Sequence, residues 1–314
     1  MNATVRRRVT GETADGTSVG VNIVELAGAE AGPTIAVVGG VHGDEFEGVV
    51  ATHRLIANLA AAALRGRAIL VPVAHEAAHL ASTRTSPIDG LNLARTFPGK
   101  VGGTSTEVVA DIVRREVIEP ADMLIDLHSA GVAFAMPLLV GWTACGCAAC
   151  DRGAEAAEAF AAPVLWREPG PPAPGRTLTS AHDAGIPSIY AEASGGGTVT
   201  VPEAEMYIAG VRRVMGFMGM IDEPQISNDP IRLVGGGDLD KPSLTSPIDG
   251  VCEVFVRVLD EVRPGQLLAT VIDPLTGQEA EVRSEVEAVV VLARRAARIA
   301  AGDMLISFAD RHGA

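Results

Sequence analysis

Short apolar runs separated by turn residues fill the first two thirds of the chain. Residues 35–39, 68–73, 123–127, 137–140 and 188–191 are each largely apolar, the pattern of strands covered on both faces. Between them, residues 47–64 place Val50, Leu55, Ile56, Leu59 and Ala63 near a 3.6-residue period, which predicts a helix. Residues 107–117 read the same way. Strands alternating with helices predict an α/β layer architecture around a mostly buried sheet. The segment EPGPPAPG at 168–175 is excluded from regular structure, because its prolines remove donors and fix φ. It is expected to be an exposed loop and is a candidate lid.

After about position 222 the helical pattern fades and short β-like runs take over. Val262-x-x-Gly265-x-x-Leu268 returns as Ile299-x-x-Gly302-x-x-Leu305, an offset of 37 residues. The apolar run at 251–258 has its echo at 288–293. Two similar β units predict a small all-β barrel or sandwich with pseudo-two-fold symmetry. The polar stretch DEPQISND at 222–229 is the expected boundary, dividing the chain into residues 1–224 and 225–314.

Composition narrows the function. The 314 residues carry 25 Lys and Arg against 39 Asp and Glu, a formal charge of −14, and 47% of them are hydrophobic. That apolar content supports a sizeable core and excludes a wholly disordered chain. The acidic balance argues against nucleic acid and anionic membrane as partners. Four cysteines are too few for a disulfide scaffold in so long a chain. No secretory signal is read at residues 1–16, and no apolar run reaches the ~18 residues of a membrane span. A cytoplasmic protein is expected, with self-association into a homo-oligomer left open.

The densest chemistry is Gly39-Gly40-Val41-His42-Gly43-Asp44-Glu45-Phe46-Glu47-Gly48, which follows a predicted strand and opens a predicted helix. His42 and Glu45 stand three apart, so one helix-like turn brings both to one side. Imidazole and carboxylate are good zinc ligands, and this edge of an α/β sheet is where active sites gather. His128 ends the predicted strand at 123–127 and supplies a third ligand candidate. Asp126, two residues earlier on the same face, is placed to support it. His–Glu–His with one open position is a catalytic zinc set. Glu192 stands at another strand end before Gly195-Gly196-Gly197 and is the candidate base for a zinc-activated water. The loop-like stretch 83–99 holds Arg84, Arg95 and Asn92. Arginine there could bind a carboxylate bidentately or stabilise an oxyanion.

On these residues the sequence resembles the succinylglutamate desuccinylase/aspartoacylase family, relatives of the zinc carboxypeptidases. GGVHGDEFEG, NLARTFPG, DLHS and AEASGGG occur in that family's order over roughly residues 35–200. TRTSPIDG followed by FPG looks most like the branch that includes deacetylases of N-acetyl-2,4-diaminobutyrate. The resemblance implies a zinc-carboxypeptidase-like mixed sheet flanked by helices, with a smaller C-terminal β domain that narrows the cleft. It implies one Zn2+ per chain held by His42, Glu45 and His128, with Glu192 as general base. It implies Arg84 as the group polarising the carbonyl and Arg95 as the clamp on a substrate carboxylate. The family has Asn-Arg where this chain has Ala94-Arg95, and Asn92 is the candidate to compensate.

The expected function is zinc-dependent hydrolysis of the amide bond of a small N-acyl amino acid or N-acyl diamino acid. Two other readings stay open: a metallocarboxypeptidase acting on short peptides, and a non-catalytic metal-binding protein on the same scaffold. The C-terminal repeat also resembles biotinyl and lipoyl carrier domains. Residues 271–284, where the carrier lysine would stand, contain no lysine, which argues for a structural or gating role. Cys145, Cys147 and Cys150 form C-x-C-x-x-C, but no Cys or His pair follows at zinc-finger spacing. Free thiols are therefore expected there rather than a second metal. No G-x-G-x-x-G or G-x-S-x-G is present, so neither a dinucleotide site nor a nucleophilic-serine elbow is expected. His182 is expected in the core or on the surface, with pocket lining as the alternative.

Overall fold

The computed structural model describes residues 3–60, 62–236 and 243–311. Ten strands precede or adjoin the boundary expected from sequence: β1 (Ala3–Glu12), β2 (Ser18–Ala27), β3 (Glu30–Gly39), β4 (Arg65–Val71), β5 (Met123–Ser129), β6 (Phe134–Ala135), β7 (Leu139–Ala144), β8 (Val164–Pro169), β9 (Ser188–Ala193) and β10 (Ile231–Val234). Six α-helices accompany them: α1 (Glu47–Ala60), α2 (Glu76–Ala81), α3 (Ser105–Val113), α4 (Ala148–Phe160), α5 (Thr177–Asp183) and α6 (Val201–Phe217). The strand order is β1-β2-β4-β3-β5-β9-β7-β8-β10. Its centre is parallel: β3 pairs in parallel with β4 and β5, and β5 with β9. The mixed sheet flanked by helices is the architecture expected from sequence. Burial explains the strand pattern, since Ile35, Ala36, Val37 and Val38 of β3 are all fully buried. Alternate residues feed two apolar cores, one on each face of the sheet.

Helix ends shift from their predicted places for local reasons. α1 starts at Glu47 as expected but stops at Ala60 rather than 64. There the Arg65 N–H donates to the Met220 carbonyl, drawing the chain toward the end of α6. α3 begins at Ser105, earlier than predicted, because Glu107 accepts from the Thr104 N–H and closes its first turn. It then widens into a π-helical turn, Arg114–Ile118. The proline-rich segment gives its first two residues to β8 and continues as a loop from Gly170.

The C-terminal part comprises β11 (Leu244–Thr245), β12 (Gly250–Val254), β13 (Glu261–Val262), β14 (Leu267–Ile272), β15 (Glu279–Arg283), β16 (Ala288–Arg294), β17 (Arg298–Ile299) and β18 (Met304–Arg311). One layer runs β15-β14-β12-β17, and the other places β11, β18, β16 and β13 side by side. The two orders are equivalent under the 37-residue repeat. Each unit lends its short strand to the other's layer: β17 pairs with β12, and β13 pairs with β16. Their inner faces enclose a separate core that includes Val262, Leu268, Val290, Ile299 and Leu305. The repeat's apolar positions thus become the facing halves of a sandwich.

This sandwich is hydrogen-bonded into the large sheet. β10 pairs in parallel with β8 on one side and antiparallel with β18 on the other. β6 pairs with β16. A further apolar core joins Leu139, Val164 and Trp166 to Val289, Val291 and Leu292.

Candidate metal centre and active site

Three neighbouring parallel strands end at one edge and build the site. β3 ends at Gly39, and the turn that follows carries His42 and Glu45 back over that edge. The turn is tight: a Cβ on Gly43 would lie 2.0 Å from the Ala78 carbonyl, so only glycine passes α2 there. His128 of β5 and Glu192 of β9 stand directly opposite each other in the parallel register. Asp126 and Tyr190, two residues back on the same strands, pair likewise. Because side chains alternate along a strand, these four share one face, and all line one cavity of about 380 Å³.

The three ligand candidates converge. One donor atom from each of His42, Glu45 and His128 lies within 4.8 Å of the others, and all three residues are buried. His42 Nδ1 lies 2.7 Å from Glu45 Oε1, and His128 Nδ1 lies 2.9 Å from Glu45 Oε2. The outer ring nitrogens are held from behind. Asp126 Oδ2 is 2.9 Å from His128 Nε2, and Asn92 Oδ1 is 3.0 Å from His42 Nε2. The contact on each Nε2 turns each Nδ1 toward the shared carboxylate, the orienting arrangement metal-binding histidines require. Thr177 Oγ1 donates to Asp126 Oδ2, and the Tyr207 hydroxyl donates to the His128 carbonyl.

Burial and charge set the protonation states. Burial pushes the His42 pKa down to about 4, against the pull of Glu45. Burial also disfavours charge on His128, yet Asp126 and Glu45 on its two sides hold its pKa well above the ordinary imidazole value. Glu45 is kept ionised, well below the usual carboxylate range: burial opposes this, but His42 and His128 outweigh it. Glu192 goes the other way. Burial, with Glu45 and Asp126 adding to it, pushes its pKa up to about 8 against His128 and Arg84. Its Oε2 is buried with no hydrogen-bond partner. A carboxyl of this kind is suited to holding or releasing a proton near neutral pH.

The donor set fits a divalent metal. Two imidazole nitrogens and a carboxylate oxygen face one another, and the carboxylates of Glu45, Asp126 and Glu192 crowd the same spot. A dication would offset that charge and displace the proton that otherwise sits on His128.

The remaining candidates from sequence lie around this centre. Arg84 Nη1 contacts Glu45 Oε1 at 3.1 Å and His42 Nδ1 at 3.3 Å. Arg95 and Ala94 line the cavity, and Arg95 Nη1 donates to the Ala94 carbonyl. Asn92 is committed on its oxygen, which takes His42 Nε2 and the Ala94 N–H. In this structure Asn92 therefore orients His42. Sequence reasoning missed three other cavity residues: Glu168 and Arg176, flanking the proline loop, and Tyr190, whose hydroxyl donates to Glu168 Oε1 at 3.3 Å. Tyr190 could have been flagged, since it stands two residues before Glu192 on the same predicted strand, whereas Glu168 lies on β8, a strand not expected from sequence. Arg176 left no signal. The loop residues Pro171, Pro172 and Ala173 form part of the wall, and Gly236 and Leu292 from beyond position 224 form another.

The family description of the succinylglutamate desuccinylase/aspartoacylase catalytic domain matches residues 31–218. The N-alpha-acetyl-L-2,4-diaminobutyric acid deacetylase of Halomonas elongata is 32% identical over 287 residues, covering 89% of this chain and 82% of that protein. A crystal structure of a succinylglutamate desuccinylase from a Silicibacter species superposes with a TM-score of 0.88 at 28% identity, covering 99% of this chain and 95% of that one. A product-bound ectoine utilization protein from Ruegeria pomeroyi gives a TM-score of 0.88 at 29% identity, covering 98% and 95%.

Proposed function

This chain belongs to the succinylglutamate desuccinylase/aspartoacylase family, and on that premise we propose that it is a zinc-dependent deacylase of a small N-acyl amino acid or N-acyl diamino acid. One observation carries the reading: the buried His42–Glu45–His128 donor set opens on the same cavity as the unpartnered carboxyl oxygen of Glu192. A protein that only bound metal would have no use for a proton carrier placed there.

His42, Glu45 and His128 would hold a zinc ion, which when bound would supply a Lewis acid lowering the pKa of water to about 7 and polarising a carbonyl. Glu192 takes a proton from the attacking water and delivers it to the departing amine nitrogen. Water adds across the amide, giving a carboxylic acid and an amine. Arg84 donates N–H groups toward the oxygen on which negative charge grows. Arg95 grips the carboxylate of the substrate through two parallel hydrogen bonds. Asp126 and Asn92 keep both imidazoles turned so that their Nδ1 atoms serve the metal.

The cavity suits a small molecule. Its volume of about 380 Å³ is near the lower end of the range for small-ligand pockets, and the sandwich and proline loop wall it in. Glu168 lines the same cavity as Arg84 and Arg95, so the cleft presents both signs of charge to a zwitterionic substrate such as an N-acyl diamino acid. The partner is thus a small N-acyl compound. Among the described residues no helix is long and apolar enough to cross a membrane. The four cysteines are free, which supports a reducing, cytoplasmic location.

The test is turnover of the metal-loaded enzyme on matched panels of N-acyl amino acids, N-acyl diamino acids and short peptides, with the released amine measured. Hydrolysis of one or more N-acyl amino or diamino acids well above peptides supports the reading. Preference for peptide C-termini would make the chain a carboxypeptidase, and no hydrolysis in any class would leave a metal-binding protein.

A further inference from the structure

Away from the cleft, the structure brings together four side chains that sequence spacing did not connect. Cys145 and Cys147 sit on the turn after β7, Cys150 in the first turn of α4, and His182 on α5, 32 residues further on. One donor atom from each lies within 4.8 Å of the other three. Cys145 Sγ is 3.0 Å from Cys147 Sγ and 2.8 Å from Cys150 Sγ. His182 Nδ1 is 4.0 Å from both Cys147 Sγ and Cys150 Sγ.

We propose that Cys145, Cys147, Cys150 and His182 form a second metal site, a closed Cys3His centre for zinc that staples α5 to the turn between β7 and α4. Thiolates and one imidazole at four corners are the donor set of structural zinc. With Zn–S near 2.3 Å and Zn–N near 2.0–2.1 Å, tetrahedral donors stand about 3.6–3.8 Å apart. The S–S separations of 2.8 and 3.0 Å are tighter than that and the S–N separations of 4.0 Å wider, so a bound ion would spread the sulfurs by about 1 Å and draw His182 in slightly. Cys145 Sγ stands closer to the other two sulfurs than uncharged thiols normally pack, yet all four cysteines are free of disulfides. Gly146, at φ +80°, makes the tight turn that brings Cys145 back over Cys147. Cys147 caps α4 and takes the Cys150 N–H on its sulfur. The positive end of that 13-residue helix favours the thiolate over the thiol.

None of the four donors lines the catalytic cavity, so the site has no open position for substrate and its part is architectural. α5 is seven residues long, too short to hold itself. Its first residue, Thr177, donates to Asp126, which in turn holds His128. A metal gripping His182 near the other end would fix both the helix and the proline-rich wall that precedes it.

The experiment is metal analysis of the full chain, made without a histidine tag and kept reduced. Two equivalents of zinc per chain are expected in the wild type. The double variant Cys147→Ser, Cys150→Ser should hold one, and so should His42→Ala. Loading with cobalt should give the thiolate charge-transfer band in the wild type and in His42→Ala, and no such band in the cysteine variant. Should the cysteine variant fail to fold, the wild-type stoichiometry and cobalt spectrum decide alone. A single equivalent in the wild type that His42→Ala removes entirely, with no thiolate band, overturns the proposal. So does mass analysis of the full chain as isolated in reducing buffer, before any metal is removed, that finds two of the three thiols joined as a disulfide.

Discussion

The two donor clusters of this protein are built on opposite plans. The His42–Glu45–His128 set is buried at the ends of parallel strands, and each imidazole is turned by a polar neighbour. It faces a cavity and an unpartnered carboxyl. The cysteine cluster sits on a turn and two helices, only Cys150 of it is buried, and its four donors face one another and no cavity. Three ligands and an open side fit chemistry, whereas four ligands and no opening fit mechanical fastening. What separates a reactive centre from a fastening one is thus the free coordination position and the proton carrier beside it, more than the ligand types.

The sharpest way to break this contrast is to remove a ligand from the first centre. His128→Ala should abolish turnover and release the metal of that centre, leaving one equivalent in the cysteine cluster. Metal retained at full stoichiometry would sink the assignment. Next in size is Glu192→Gln, which should keep both metals while kcat falls ~10²–10⁴-fold, the usual worth of a positioned acid–base group. Near-normal kcat would remove Glu192 from the mechanism. Asp126→Ala should leave both ligand imidazoles in place but weaken metal affinity at the first centre ~10–100-fold. Competition with a graded chelator series checks this, and an unchanged affinity would show that His128 needs no support from behind.

The smallest effect is a pH dependence of the chelated protein. Glu192 titrates near its ordinary value of about 4.5 when unfolded but at about 8 in the folded, metal-free chain. Between those values the folded state binds more protons, so stability must fall as pH rises. The contribution reaches at most ~1.4 kcal/mol per pH unit. Glu192→Gln should flatten that part of the curve, and superimposable melting-temperature profiles from pH 5 to 8 would contradict the raised pKa.

Much of the first centre was legible because sequence-local signals carried it. His42 and Glu45 share one turn, and His128 and Glu192 each end an apolar strand, so sheet geometry alone brings them to one edge. The C-terminal repeat was legible too, since Val262, Gly265 and Leu268 recur at a fixed offset. Other features depended on tertiary placement. His182 sits on a short helix whose position beside Cys147 follows from packing that no spacing encodes. Asn92 stands two residues from where a substrate contact was sought, yet its oxygen turns to His42. β1 escaped notice because it is exposed along most of its length, whereas β2, with Val21, Ile23, Val24 and Leu26 buried, carried an apolar run that was legible. α4 escaped because alanine and glycine line much of its buried face, which blurs the apolar stripe; α6 carries a regular stripe of Ala204, Tyr207, Ile208, Val211, Val214 and Met215 that was legible and went unread.

The joint between β8, β10 and β18 has a consequence for how this fold can be taken apart. The C-terminal segment is not a detachable cassette: ending the chain near residue 224 would strip β8 of its neighbour and bare an unpaired hydrogen-bonding rim. Exposed rims of that kind recruit other strands, so a truncated chain would tend to aggregate instead of surviving as a smaller, more permissive enzyme. Diversity within such a scaffold then has to come from side chains around the cleft, because shuffling whole modules would tear the sheet that carries it.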